Sequence, residues 1–176
     1  NVVNPDDVIA EYGADTFRLY EMYMGPLDAS KPWNTRDIVG VFRFLQRAWR
    51  LVVDEDSGDL SVQETLDEDV ERALHRTIAK VGEDIERLSY NTAIASMIEF
   101  VNLATQRGGL TAEQLDRFAR ILCPFSPHIA EEFHAKLGHE DLCSLAAWPD
   151  YDESMLVDES IELPVQVKGK VRGRIS

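Results

Sequence analysis

Two sets of basic side chains are the residues of this sequence whose types and spacing could do chemistry. The first set lies in RDIVGVFRFLQRAWRLVVDE, where four arginines fall on one side of a helix, within about 60° of one another at about 100° per residue. This arginine stripe consists of Arg36, Arg43, Arg47 and Arg50. With no acid among them, the four guanidinium groups repel one another unless something anionic faces them. Because a planar guanidinium can donate two hydrogen bonds at once to phosphate, the stripe predicts a phosphate-binding face.

A second interpretation of the arginine stripe remains open from the sequence. A helix with charges on one side can turn that side to water, and some arginines can pair with the acidic connector at residues 54–71. The two interpretations predict different partners for the guanidinium groups. In the first, the partners are the phosphates of an anionic ligand, and in the second they are water and the chain's own carboxylates.

The second basic set lies at the C-terminal end, in VQVKGKVRGR. Bases recur there at every second residue, so they can share one face of an extended strand. They are Lys168, Lys170, Arg172 and Arg174. A turn at Gly169 would interrupt this alignment. The alternative is a charged edge strand that discourages aggregation.

No other group of residues predicts a complete active site. No two of the four histidines share the i, i+4 spacing of a helical metal site. They are His75, His128, His134 and His139. Ser126 and His128 are too close in sequence to act as nucleophile and base, and there is no nucleophile elbow and no glycine-rich phosphate loop. We therefore expect no catalytic residue, no metal site and no cofactor site in this chain.

The formal net charge of -14 is concentrated in two segments. Residues 54–71 hold nine acids and no base, and residues 140–162 hold eight acids and no base. The rest of the chain is slightly basic, so the acidic total is compatible with an anionic partner. No apolar run reaches the roughly 20 residues of a membrane span. The only cysteines, Cys123 and Cys143, fit neither a disulfide framework nor a zinc site, and we expect a cytoplasmic protein without a membrane or DNA partner.

The elements that position these side chains are predicted to be helices. Asn4 can cap and Pro5 can begin a helix that Gly13 breaks and that then resumes. Thr35 is predicted to cap a long helix over about residues 35–53. Its apolar side is predicted to hold Ile38, Val41, Phe42, Leu45, Trp49 and Val52.

The remaining signals extend this helical pattern along the chain. A helix is predicted over about residues 67–88, and SYN separates it from another that stops at Gly108. Thr111 and Gln114 form a capping-box pattern that opens the next helix, and a short helix after a proline-rich joint ends at Gly138. The predicted fold is all-α, a helical bundle with a short C-terminal β-hairpin stub.

Several segments, in order, resemble one family of enzymes. NVVNPDDVIAEYGADTFRLYEMYMGPL resembles the segment that follows the KMSKS signature of class I aminoacyl-tRNA synthetases. RFLQRAWRLV, YNTAIASMIEFVN, LCPFSPHIAEEF and AAWP are similar to successive parts of the anticodon-binding domain in the leucyl-tRNA synthetase family. LPVQVKGKVRGRI resembles the first hairpin of that family's C-terminal tRNA-binding domain in its bacterial form.

The resemblance implies a domain organisation and a set of partners. Residues 1–34 would be a connecting segment, residues 35–150 the helical anticodon-binding bundle, and residues 151–176 a linker and the start of a truncated C-terminal domain. The catalytic core would lie outside the chain, so we expect the chain alone to be inactive, whereas its parent enzyme would use ATP with magnesium. The expected partners are leucine tRNA, contacted by both basic sets, and the remaining domains of the parent synthetase. An acidic helical protein-interaction module is the alternative.

Overall fold

Helices dominate the structure, a computed structural model that describes residues 3–157 in full and the backbone of residues 163–167 and 170–175. The α-helices are α1 (Pro5–Tyr12), α2 (Ala14–Tyr23), α3 (Ile38–Val52), α4 (Glu68–Glu86), α5 (Tyr90–Arg107), α6 (Ala112–Leu122) and α7 (Pro127–Lys136). The predicted helical class is therefore confirmed. Within the described ranges, no helix has both the length and the apolar character needed to cross a bilayer.

Two further kinds of element follow α7. Short 3₁₀ turns occur at Cys143–Leu145 and Glu153–Leu156, and the second of them packs on α4. The strands β1 (Leu163–Val167) and β2 (Lys170–Ile175) pair antiparallel as a two-stranded sheet. A pair of strands this short is marginally stable without further packing.

The first two helices begin and end where the sequence predicts. The side chain of Asn4 accepts a hydrogen bond from the backbone N–H of Asp6 at 3.2 Å, and Pro5 occupies the first helical position. Gly13 then separates α1 from α2 with φ at 87°, a left-handed value that costs a glycine little. The chain therefore turns sharply there while remaining helical on both sides.

The start of α3 differs from the prediction that Thr35 caps it. The indole Nε1–H of Trp33 donates to the hydroxyl of Thr35 at 2.9 Å, so this hydroxyl binds an aromatic side chain instead of capping the helix. Residues 35–37 form a turn, and the helix begins at Ile38. As a consequence, Arg36 precedes α3 and is not part of its first turn.

The buried side of α3 is rotated relative to the predicted apolar side. Phe44 and Ala48, which the prediction left out, are fully buried, whereas Phe42 and Trp49 are half-buried at its margin. The other four predicted residues are buried as expected. The reason is tertiary, because α2 and α5 both pack on α3 and decide which part of a broad apolar surface becomes the centre of the interface.

The helices α4 to α7 form the rest of the bundle. α4 and α5 make the most extensive helix pair, and Gly108, with φ at 95°, ends α5 as predicted. The predicted capping box is confirmed: Thr111 Oγ1 accepts from the backbone N–H of Gln114, and Gln114 Oε1 accepts from the backbone N–H of Thr111. The SYN separator is shorter than predicted, because α5 already begins at Tyr90.

Candidate nucleic-acid interface

The arginine stripe lies on the side of α3 that faces away from its buried residues. Arg43 and Arg50 are exposed and Arg47 is half-buried. Arg36 is exposed in the turn before the helix, where its backbone N–H donates to Asn34 Oδ1 at 3.2 Å. The structure thus places three of the four arginines on one helix face and the fourth at its start. That they contact RNA stays a prediction.

One arginine of the stripe is partly neutralised by the acidic connector. Arg50 Nε donates to Glu55 Oε1 at 2.9 Å, and both side chains are more than half exposed. In the part of the chain that the structure describes, no carboxylate makes an ion pair with Arg36, Arg43 or Arg47. The connector therefore accounts for one of the four charges and leaves three for another anionic partner.

Arg47 has a side-chain N–H donor that lacks an acceptor. Its Nε is buried and has no hydrogen-bond partner among the described residues. A buried N–H without a partner costs free energy, which a ligand or an ordered water would recover. Because this nitrogen is buried, an anion bound along the stripe would reach it only if the half-buried side chain of Arg47 rotated outward.

A groove between α4 and α5 collects further cationic side chains that the sequence analysis did not single out. It measures about 780 Å³ and is open to solvent at one side. Four bases line it, against the acids Asp69 and Glu99. The four bases are Arg72, Arg76, Lys80 and Arg107. The three bases on α4 are spaced at i, i+4 and i+8, and this spacing could have predicted a shared basic face. Acids between them along the same helix make the pattern difficult to recognise in the sequence.

The cations of this groove are already engaged within the chain. Arg107 pairs with Asp69, and Lys80 Nζ lies 2.5 Å from the buried carboxylate of Asp84. Arg72 Nη1 donates to the carbonyl oxygen of Val157 at 3.4 Å, and Arg76 Nε donates to that of Met155 at 3.3 Å. The groove therefore serves first to hold the segment after α7 against α4, and the arginine stripe remains the better candidate for an external anion.

A half-buried polar network fixes α4 against α6. Glu71 accepts two hydrogen bonds from Arg117 Nη2, at 2.7 and 2.9 Å, and one from Gln114 Nε2 at 2.9 Å. His75 Nδ1 accepts from the backbone N–H of Asp152 at 3.0 Å, so its Nε2–H donates to Glu71 Oε1 at 3.1 Å. Burial acts to raise the pKa of Glu71, but the hydrogen bonds from Gln114 and Arg117 outweigh it and hold the pKa below its usual value.

The two cysteines are buried free thiols. Burial raises the pKa of the Cys123 thiol, and it raises the pKa of the Cys143 thiol to about 12. Both side chains are therefore protonated at neutral pH and lack the thiolate that a nucleophile or metal ligand requires.

Three of the four bases of the C-terminal set lie on β2. Lys168 lies outside the described residues. For the other three bases the structure describes only the backbone of β2. They are Lys170, Arg172 and Arg174. Their assignment to an RNA-contacting face stays a prediction.

Comparisons with known proteins point to one kind of domain. The family model described as the anticodon-binding domain of tRNA ligase matches residues 67–176. Over its whole length the chain is 49% identical to the leucine–tRNA ligase of Rhodopirellula baltica and 51% identical to that of Corynebacterium jeikeium. It covers 19% and 18% of those proteins, so it spans about a fifth of the length of the curated relatives it matches.

A solved structure is similar in fold across nearly the whole chain. It is the crystal structure of the ternary complex of Agrobacterium radiobacter K84 agnB2 LeuRS with tRNA and LeuAMS, with a TM-score of 0.78 and 30% sequence identity. The match covers 99% of this chain and 25% of that one. Sequence and fold thus agree on the same class of domain.

Proposed function

This chain belongs to the family of anticodon-binding domains of tRNA ligases, and from that membership we propose that it is the tRNA-docking bundle of a leucine–tRNA ligase. The observation that carries the proposal is the likeness, over 99% of the chain, to a synthetase whose structure was determined with tRNA. The other hypothesis from the sequence, an acidic protein-interaction module, has no counterpart among the relatives described above.

The contacts we assign to this function are made by the arginine stripe. A-form RNA offers its phosphates and 2′-hydroxyls more readily than its base edges, so a face of guanidinium groups suits the tRNA backbone. Arg36 and Arg43 contribute most, because both are exposed and no described acid pairs with them. Arg47 contributes less because its side chain is only half exposed and its Nε is buried, and Arg50 contributes less because Glu55 competes for it.

The C-terminal bases form a second, separate group in this proposal. Lys168, Lys170, Arg172 and Arg174 would belong to the beginning of a tRNA-binding domain that continues beyond the bundle. Their role can be tested apart from the stripe, since neutralising them leaves α3 unchanged.

The chemistry of leucylation would be carried out by other domains of the ligase, in the cytoplasm. ATP with magnesium would be bound by those other domains as well. The part of this chain in the reaction is to hold the tRNA in position.

The proposal is tested by measuring the affinity of the chain for leucine tRNA across a salt series. The wild-type chain should bind at low salt and weaken steeply as salt rises, because each phosphate contact releases counterions. Arg43→Ala should lower the salt slope by about one unit, and Arg36→Ala with Arg43→Ala by about two.

The matched control is Arg87→Ala, which removes an exposed arginine at the end of α4 that pairs with Glu83. It should leave affinity and slope unchanged. A wild-type chain that fails to bind tRNA at low salt would contradict the proposed function. Equal slopes for Arg43→Ala and Arg87→Ala would contradict the assignment of the contact face.

A further inference from the structure

Three side chains that could bind a metal ion meet where α6 packs on the end of α7. They are Asp116 on α6, His134 on α7 and His139 just after α7, and their ligand atoms all lie within 4.8 Å of one another. Gly138, with φ at 92°, turns the chain back on itself there, and the backbone N–H of His139 donates to the carbonyl oxygen of His134 at 3.3 Å. The turn stacks the two imidazole rings with their centroids 3.9 Å apart.

The inner atoms of this cluster lack hydrogen bonds. His134 is 2% exposed, and its Nε2–H donates to Asp141 Oδ1 at 3.2 Å, which leaves Nδ1 with a lone pair. Nδ1 is buried and has no hydrogen-bond partner among the described residues. The same holds for Asp116 Oδ1, which lies 3.7 Å from this Nδ1 and 3.0 Å from His139 Nε2. Two facing acceptors with nothing between them are unfavourable, and a cation between them would satisfy both.

The outer atoms of the same residues are held in place. Asp141 binds the far nitrogen of His134, and Arg120 Nη2 donates to the far oxygen of Asp116. Metal-binding histidines and carboxylates show this division, in which an outer group fixes the ligand and the inner atom points to the ion. Glu131 on α7 fixes the segment that follows Asp141, since its carboxylate accepts from the backbone N–H groups of Cys143 and Ser144 at 2.7 and 3.0 Å.

We propose that Asp116 Oδ1, His134 Nδ1 and His139 Nε2 bind one divalent transition-metal ion of the zinc class, with water completing the coordination. Nitrogen and oxygen ligands about 2.1 Å from tetrahedral zinc are about 3.4 Å apart. The separations from Asp116 Oδ1, 3.0 Å to His139 Nε2 and 3.7 Å to His134 Nδ1, lie on either side of that value.

Binding of the ion requires the ring of His139 to move, and the bound ion would then connect separate elements. His139 is about a third exposed, so its ring can turn out of the stack and direct Nε2 to the ion. The ion would then link α6, α7 and the segment that follows them. The proposed site departs from the sequence-based expectation of no metal, and it is independent of the tRNA-binding role.

The test is a titration of the 176-residue chain with Co²⁺, followed by displacement with Zn²⁺. The wild type should develop the visible absorption of four-coordinate Co²⁺, and one equivalent of Zn²⁺ should abolish it. His139→Ala should lose the absorption, and Asp141→Ala should weaken the binding of Zn²⁺ about 10- to 100-fold through the lost outer hydrogen bond. Both residues are exposed enough to be changed without opening the core.

The matched control is His128→Ala, which removes a largely exposed histidine at the other end of α7. It should bind Co²⁺ and Zn²⁺ like the wild type. As a second readout, Zn²⁺ should raise the Tm of the wild type and of His128→Ala but not of His139→Ala. The increase should disappear in acid, because protonated histidines do not bind metal.

Two results would overturn the site. One is a wild-type chain without the four-coordinate Co²⁺ absorption, which would mean that the inner atoms of His134 and Asp116 bind no metal. The other is equal Zn²⁺ affinity in the wild type and His139→Ala, which would mean that metal binds only to the acidic surface.

Discussion

Glu71 shows how much a single side chain contributes to this bundle. It gathers hydrogen bonds from Arg117, Gln114 and His75, and these groups come from two different helices. Because its side chain is only 13% exposed, solvent screens these interactions less than those of a surface ion pair. Loss of its charge would leave the guanidinium of Arg117 partly buried without a counter-charge.

We expect Glu71→Gln to lower the free energy of unfolding by about 1.5–3 kcal/mol at neutral pH, the range for hydrogen bonds to a charged group. Since folding lowers the pKa of Glu71 below its usual 4.5, this stabilisation is present above that pH and is lost as the pH falls through the folded-state pKa. The difference between wild type and variant should therefore narrow in acid.

Urea denaturation at pH 7 and at about pH 4 measures both effects of Glu71→Gln. Glu64→Gln, an exposed position outside the helices, is the control and should leave the free energy of unfolding unchanged at both pH values. A difference for Glu71→Gln that stays constant with pH would show that its carboxylate charge does not stabilise the fold.

At the scale of the element, α7 depends on a residue far away in sequence. Ser126, which precedes Pro127, is the local candidate for the cap, but its hydroxyl makes no cap hydrogen bond. The carboxylate of Asp15 on α2 accepts from the backbone N–H of His128 at 3.3 Å and of Ile129 at 2.9 Å instead. An acid at this position also suits the positive end of the helix.

We expect Asp15→Ala to lower the free energy of unfolding by about 1–2 kcal/mol, as the loss of an N-cap does. The control Asp7→Ala removes an exposed acid in the first turn of α1 and should cost less. Chemical denaturation of both variants measures the difference. Equal costs would mean that Asp15 does not act as the cap of α7.

At the scale of the whole molecule, the segment of residues 3–34 shares its core with the bundle. Leu19 and Tyr20 on α2 are buried in the same cluster as the bundle residues, and α2 packs on α3, α5 and α7. Trp33 lies against the ring of Tyr20, with centroids 4.9 Å apart. The predicted boundary near residue 34 thus stays a prediction about the parent enzyme, while in packing the two segments are continuous.

We expect residues 3–157 to unfold in one cooperative transition because of this shared core. The fluorescence of a chain with Trp33 as its single tryptophan, Trp49 and Trp148 having been changed to Phe, should report the same urea midpoint as the helical circular dichroism. A lower midpoint for Trp33 would show that the first segment unfolds separately. The same comparison with Trp148 as the single tryptophan is the control for the bundle.

The sequence by itself determined the features that depend on neighbours within a few residues. The cap at Asn4 and the capping box of Thr111 and Gln114 follow from backbone groups that nearby side chains can reach. The break at Gly13 and the stop at Gly108 follow from the left-handed φ that glycine adopts at little cost. The helical fold follows from their sum, and the placement of Arg43, Arg47 and Arg50 on one helix face follows from helical spacing alone. The RNA contacts of that stripe remain a prediction.

Only the tertiary structure decided which atoms from distant parts of the chain meet. The cap of α7 by Asp15, the hydrogen bonds between Glu71 and Arg117, and the approach of Asp116 to the two histidines after α6 all join separate helices. Helical periodicity tells which side of a helix is apolar but not which neighbour covers it, as the rotated face of α3 shows. The packing of the helices sets these contacts, because each one requires two elements to be positioned within hydrogen-bonding distance.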